Sequence, residues 1–290
     1  MSVPRRRHRV KALAVAAAAV VLAGIGIGAA HAATDRARPE PATAVAPAWT
    51  APPVNATFDY QIGSPYTPPA GVTVVSRDYT AAAAPGIYNI CYINAFQTQG
   101  AGSGEASQGW WESKGLVLKD RNGNPVEDEE WGEYLLDFST AAKRTALTRA
   151  VGGFMDKCAG KGFKAVELDN LDSFSRSNGL LRQADAITYA KLLADAAHSR
   201  GLATGQKNFV ELSAANIRTI GFDFAVVEQC GEYDECDVVT ARYGAKVIVI
   251  EYSSAGFRAA CSEFGSTLSI VLRDVNVTAP GSGSYKYKTC

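Results

Sequence analysis

The sequence predicts a single-domain α/β protein built as a (β/α)8 TIM barrel. Eight short apolar runs recur between Thr57 and Arg273, and most are apolar throughout, as strands covered on both faces should be. Helix-period segments fall between several of them. From Thr57 onward the chain has about 230 residues, close to the ~250 that one such barrel takes. A doubly wound open sheet shares this alternation and is the main competing architecture.

The chain ahead of the barrel divides in two. Residues 1–32 read as a secretory leader. Arg5, Arg6, Arg7, Arg9 and Lys11 precede an apolar run from Ala12 to Ala30, and Ala30-His31-Ala32 is a small-x-small cleavage site. The run is rich in Ala and Gly, too weakly hydrophobic to favour a membrane anchor. Residues 33–56 are rich in Pro and Ala and lack apolar periodicity, so they are expected to be a disordered linker. The barrel domain is placed at 57–290.

Strands are expected at Thr57–Ile62, Val72–Asp78, Ile87–Asn94, Phe163–Asp169, Leu202–Lys207, Phe222–Glu228, Lys246–Glu251 and Thr267–Arg273. Helices are expected at Thr140–Ala159, Ala184–Arg200 and Leu212–Ile220, with Gly201 and Gly221 suited to positions just past a helix end. The connections Gly63–Gly71 and Tyr79–Gly86 are shorter than the ~10–12 residues of a helical crossover. The first two helices are therefore expected to be short or degraded. The stretches 100–109 and 119–128 read as polar, Gly-bearing loops inside the domain.

Composition then removes several kinds of chemistry. His8 and His31 lie in the leader, which leaves His198 as the one histidine of the mature chain. A Ser-His-Asp hydrolase needs imidazole as its base, and a histidine-based zinc site needs several. Removing the leader also takes five positive charges and no negative ones, leaving 24 basic against 29 acidic residues. A net charge of −5 gives no sign of nucleic-acid or anionic-membrane binding and favours a cationic partner. All six cysteines lie after the leader, and an even number in an exported chain reads as disulfides rather than metal ligands. Cys230 and Cys236 are close enough to close a local loop. Cys91–Cys158 and Cys261–Cys290 would complete the set.

Carboxylates and amides collect at the strand ends, where a barrel keeps its active site. Asn94, Asp169, Glu228 and Glu251 each directly follow a strongly apolar residue, Asp78 ends the run Val74-Val75-Ser76-Arg77, and Lys207-Asn208 closes the fifth strand. Glycosidic cleavage takes two carboxyl groups flanking the bond, one to protonate the leaving oxygen and one to attack carbon or activate water. Asp169 and Glu228, from strands four and six, are expected to face one another across the mouth. Glu167 points the same way as Asp169, deeper in the barrel. Asp172 is expected either to contact substrate or to cap the next segment. Tyr60, Phe96, Trp110, Trp111, Trp131, Phe209 and Tyr233 offer flat faces to sugar rings, although core packing is the commoner job for aromatics. The acidic loop Glu232, Asp234, Glu235 and Asp237 would attract a cation, or is an ordinary solvated turn.

The ordered segments Val166-Glu167-Leu168-Asp169-Asn170-Leu171-Asp172, Gly205-Gln206-Lys207-Asn208, Glu228-Gln229-Cys230 with Tyr233 and Cys236, and Glu251-Tyr252 together resemble glycoside hydrolase family 114. Asp59-Tyr60-Gln61, Asp78 and Cys91-Tyr92-Ile93 look like its first three strands, so the likeness runs over roughly residues 58–252. The resemblance implies a TIM-barrel endo-α-1,4-polygalactosaminidase without cofactor. It carries the catalytic pair onto Asp169 as nucleophile and Glu228 as general acid/base, and implies a retaining mechanism. It places Asp78, Tyr92, Lys207, Asn208 and Tyr252 in the substrate site. Asn94 at the third strand end and the insertion Ala101–Asp128 depart from the family pattern.

The expected partner is a polysaccharide, cationic where it is deacetylated galactosaminan. A secreted monomer is expected, away from nucleic acid and membrane. Two other readings stay open. A metal-dependent phosphodiesterase would hold Mg²⁺ or Ca²⁺ through Glu167, Asp169, Asp172 and Glu228. A non-catalytic carbohydrate-binding barrel would need one of the catalytic pair disabled.

Overall fold

A computed structural model describes residues 49–290. Eight parallel strands follow one another around the sheet in chain order. They are β1 (Phe58–Gln61), β2 (Val74–Asp78), β3 (Tyr88–Asn94), β4 (Ala165–Asp169), β5 (Ala203–Lys207), β6 (Phe224–Glu228), β7 (Val247–Glu251) and β8 (Ser269–Arg273). A short ninth strand, β9 (Tyr287–Thr289), pairs antiparallel with β8. The result is a nearly closed, mostly parallel barrel, and the open-sheet alternative does not hold. Seven of the eight strands end on the residue expected, because each apolar run stops at a polar side chain that must reach the mouth.

Side chains join the seam between β1 and β8. Arg273 of β8 reaches Asp59 of β1 at 3.0 Å, and neither side chain is exposed. Such a pair is tolerable only when its other polar atoms are satisfied. Asp59 also accepts from Gln61 Nε2 and the Tyr66 hydroxyl. Arg273 also donates to the carbonyls of Lys286 and Thr278.

Inside the barrel, Phe58, Tyr60, Val74, Ile90, Phe224, Val226, Ile250 and Val271 form one buried cluster. Gly205 keeps its place because a Cβ there would lie 2.6 Å from the Phe224 ring. The outer layer consists of α1 (Gln108–Ser113), α2 (Ala141–Gly160), α3 (Gln183–His198), α4 (Ala214–Ile220), α5 (Cys230–Tyr233), α6 (Cys236–Tyr243) and α7 (Ser254–Phe264). The Thr140 and Ser213 side chains cap the starts of α2 and α4. Gly221, at φ 91°, closes α4 in the left-handed region that glycine enters freely. The first two connections carry no helix, as their length requires.

The disulfides are Cys91–Cys158, Cys230–Cys236 and Cys261–Cys290, all three pairings as expected. No helix among the described residues is long and apolar enough to cross a membrane. The expected leader and most of the expected linker lie outside the described residues. The linker expectation fails over its last eight residues, 49–56, which pack against the barrel. Trp49 stacks on His198 with ring centroids 3.8 Å apart and donates to Asp223 at 3.0 Å. The Ala56 N–H bonds Ser269 Oγ. An indole with both a ring and a hydrogen-bond partner outweighs the Pro- and Ala-rich composition around it.

Candidate active site

The strand ends of β3 to β7 open into a cleft of about 430 Å³ lined by Tyr92, Asp169, Lys207, Asn208, Glu228 and Tyr252. A flank hollow of about 500 Å³ beneath Pro65–Pro69 has no carboxylate in its lining. The mouth is where polar side chains from five successive strand ends converge, and the chemistry is assigned there.

Local backbone geometry presents the two acids. Asp169 and Glu228 are the last residues of β4 and β6, and their successors Asn170 and Gln229 stand at φ 62° and 59°. Asn208 and Phe209, after β5, are at φ 48° and 55°. Left-handed residues turn the chain at once after the strand, and asparagine tolerates that region better than most. For bulky Phe209 it is a strained conformation of the kind that collects at functional sites.

Each acid is held on both oxygens. Asp169 accepts from the Tyr92 hydroxyl at 2.7 Å and from the Asn170 N–H at 2.9 Å. Glu228 accepts from Asn208 Nδ2 at 2.9 Å and from the Tyr252 hydroxyl. Asn208 Oδ1 in turn accepts the Glu228 N–H. Burial first, and the neighbouring carboxylates next, push the phenols of Tyr92 and Tyr252 well above the usual tyrosine value, so both stay donors.

Lys207 links the pair. Its Nζ stands 3.5 Å from Asp169, 3.4 Å from Glu228 and 3.5 Å from Glu167. Burial by itself would lower the ammonium's pKa. The charges of Asp169, Glu228 and Glu167 outweigh that and hold it well above the usual lysine value. Glu167 lies deeper, as expected, accepting from Tyr60 at 2.8 Å and Ser76 at 2.6 Å. Its pKa is raised by burial, against the pull of Lys207. Glu167 is 0% exposed whereas Asp169 and Glu228 are 15% and 24% exposed, so only the latter two can meet a substrate.

The other expected site residues divide. Tyr92, Lys207, Asn208 and Tyr252 join the pair at the cleft. Asp172 also lines it, without a side-chain cap bond, and pairs with Arg176 at 3.1 Å. Asp78 does not line it. Its carboxylate turns aside to the Thr80 N–H and hydroxyl and to Gln99 Nε2, and Gln99 reaches the cleft instead. Among the aromatics, Tyr60, Phe96 and Phe209 are buried and Tyr233 points to solvent off the cleft, while Trp131 lines it. The acidic loop 232–237 is not part of the lining. Asp128, Glu130, Glu133 and Arg176 are, and sequence reasoning missed them. Asn170 carried a signal that went unused, since it directly follows Asp169 and tolerates the left-handed turn.

The family comparison decides what kind of site this is. Residues 38–290 match the model of glycoside-hydrolase family GH114. The chain belongs to that family. It is a glycosidase. Among solved structures, a crystal structure of Aspergillus fumigatus Ega3 in complex with galactosamine is similar at 24% identity. It covers 83% of this chain and 98% of that one, with a TM-score of 0.63. A variant of the glycoside hydrolase domain of PelA from Pseudomonas aeruginosa is similar at 14% identity over 79% of this chain and 98% of that one, TM-score 0.51. At such identities these likenesses show the shared fold alone. A comparison with curated proteins gives no match.

Proposed function

We propose that this glycosidase is secreted and cuts α-1,4-galactosaminidic bonds within a galactosamine polymer, with Asp169 as nucleophile and Glu228 as general acid/base. The observation that carries this is the pair of carboxylates, both open to one cleft and both anchored on a single buried ammonium. The two contacts to Lys207 limit the separation of those oxygens to about 7 Å, a bound that admits the ~5–5.5 Å of retaining enzymes and excludes most of the ~6.5–9.5 Å range that leaves room for an attacking water. Glu228 delivers a proton to the leaving oxygen as Asp169 attacks the anomeric carbon. Water, deprotonated by Glu228, then displaces Asp169 and restores both groups. Tyr92 and Lys207 keep the Asp169 oxygens aimed, and Asn208 and Tyr252 do so for Glu228.

The leader-like sequence of residues 1–32 and the three disulfides support export. The galactosamine bound to Ega3 supports the substrate class. The metal-dependent alternative loses support because the Lys207 ammonium already stands among Glu167, Asp169 and Glu228, and Arg176 pairs with Asp172. Mass spectrometry of products from partly deacetylated galactosaminan tests the reading. Asp169→Asn and Glu228→Gln should each reduce product by at least about 10³-fold while the unfolding temperature stays near that of the parent. Near-native cleavage by either variant removes that residue from the mechanism.

A further inference from the structure

One wall of the cleft comes from the 70-residue connection between β3 and β4, where Glu127–Asp128 and Glu133–Tyr134 pair as a two-residue antiparallel ladder. Asp128, Glu130, Trp131 and Glu133 of this turn line the same cleft as Asp169. Trp131 is 60% exposed, a large apolar face left open beside a sugar-cleaving pair.

Glu133 is held in place. Its Oε2 accepts from Asn94 Nδ2 at 2.8 Å, Asn94 Oδ1 accepts from Asn170 Nδ2 at 2.9 Å, and the Asn170 N–H bonds Asp169. Two asparagines thus fix this carboxyl relative to the nucleophile. The cations of the cleft are committed elsewhere. Lys207 serves Asp169, Glu228 and Glu167, and Arg176 serves Asp128 at 2.8 Å and Asp172 at 3.1 Å. Among the described residues Glu133 has no ion pair, and its second oxygen accepts no hydrogen bond.

We propose that Trp131 and Glu133 form a sugar subsite beside Asp169 that selects a free amino group, the indole carrying the ring and the carboxylate taking the ammonium. This rests on the galactosamine-polymer reading above and adds to it the residues that sense charge. A ligand ammonium supplies the cation that the wall lacks.

The site is also sensitive to pH. Burial pushes the Glu133 carboxyl up to about 7. The Asn94 hydrogen bond and Arg176 oppose the rise, and Asp169 and Asp128 add to it. An ammonium binds the ionised form, so affinity climbs as pH rises through about 7. The sugar amine sheds its own proton at higher pH, near the ~7.7–8.0 of an α-amino group, which gives a separate alkaline fall.

The test is kcat and KM on a fully deacetylated galactosamine oligomer from pH 5.5 to 8.5, for the parent, Glu133→Gln and Trp131→Ala. Glutamine keeps an acceptor for Asn94. We expect Glu133→Gln to raise KM about tenfold near pH 7.5, to change kcat less, and to flatten the rise through pH 7 while keeping the alkaline fall. Trp131→Ala should raise KM at every pH. A Glu133→Gln profile that keeps the parent's KM and its rise overturns the proposal, as does a loss confined to kcat, which would make Glu133 a support for Asp169. If the parent itself leaves the oligomer intact, the substrate reading falls, and the subsite with it. Cleavage by the parent with an unaltered variant sinks the subsite alone.

Discussion

Lys207 is the residue on which the site's charge balance turns. It is 2% exposed and faces three carboxylates within 3.5 Å. An isolated buried ammonium would be costly, and so would three crowded carboxylates; each makes the other tolerable. Removing one partner of such a cluster costs about 3–5 kcal/mol because the remaining charges stay buried. Lys207→Met should therefore lose about that much stability near pH 7 in denaturant unfolding. The loss should shrink toward pH 4, where Glu167, its carboxyl already raised by burial, takes up a proton and leaves fewer charges to repel. A variant equally destabilised at both pH values would indicate that packing, not charge, is what Lys207 supplies.

At the scale of elements, the informative junction is β7 with α5 and α7. Glu251, the last residue of β7, is fully buried and accepts the Gly231 N–H at 2.7 Å. A Cβ on Gly256 of α7 would lie 2.2 Å from its second oxygen. Burial pushes this carboxyl up to about 7, opposed by the backbone N–H groups of Gly231 and Glu232, while the charge of Glu232 adds to the rise. The folded chain therefore keeps a proton that the unfolded chain gives up near its ordinary value of 4.5. Stability contributed here is present below that value and declines as pH rises through about 7. Glu251→Gln, which cannot ionise, should gain in unfolding temperature relative to the parent between pH 5 and pH 8. A constant difference across that range would refute the assignment. The junction matters for function because α5 begins two residues after Glu228 and is tied by Cys230–Cys236.

Across the whole molecule, chemistry and closure occupy opposite ends. The strand ends carry the cleft, while Trp49, His198, Asp223 and Thr204 meet at the strand starts. Segment 49–56 thus acts as a plug on the floor of the barrel, remote from Asp169 and Glu228. A chain starting at Thr57 should lose on the order of 5 °C in unfolding temperature by calorimetry, a shift expected of roughly 1–3 kcal/mol in a domain of this size. Its kcat/KM should match that of the longer chain. A drop in activity at a temperature where both are folded would show that the plug reaches the mouth after all.

The strands and the central acids could be read from residue order, because both are local. A run such as Ala165-Val166-Glu167-Leu168-Asp169 states by its own alternation that Glu167 and Asp169 share a face and that the strand ends there. The helices α2, α3 and α4 and the local Cys230–Cys236 loop were equally local, whereas α1 and α5 span too few turns to show a period, and α6 and the eleven-residue α7 were not expected. Other facts depended on distant chain. Asp78 looked like its fellow strand-end acids, yet Gln99, 21 residues later, draws it off the cleft. Glu133 and Trp131 lie in a loop without periodicity and reach Asp169 only because the connection from β3 folds back over the mouth. Lys207 finds its three carboxylates, and Arg273 its Asp59, only when the sheet curls round. Sequence fixes which way a side chain leaves its own strand; which charges it then meets is set by closure of the barrel and by the path of its loops.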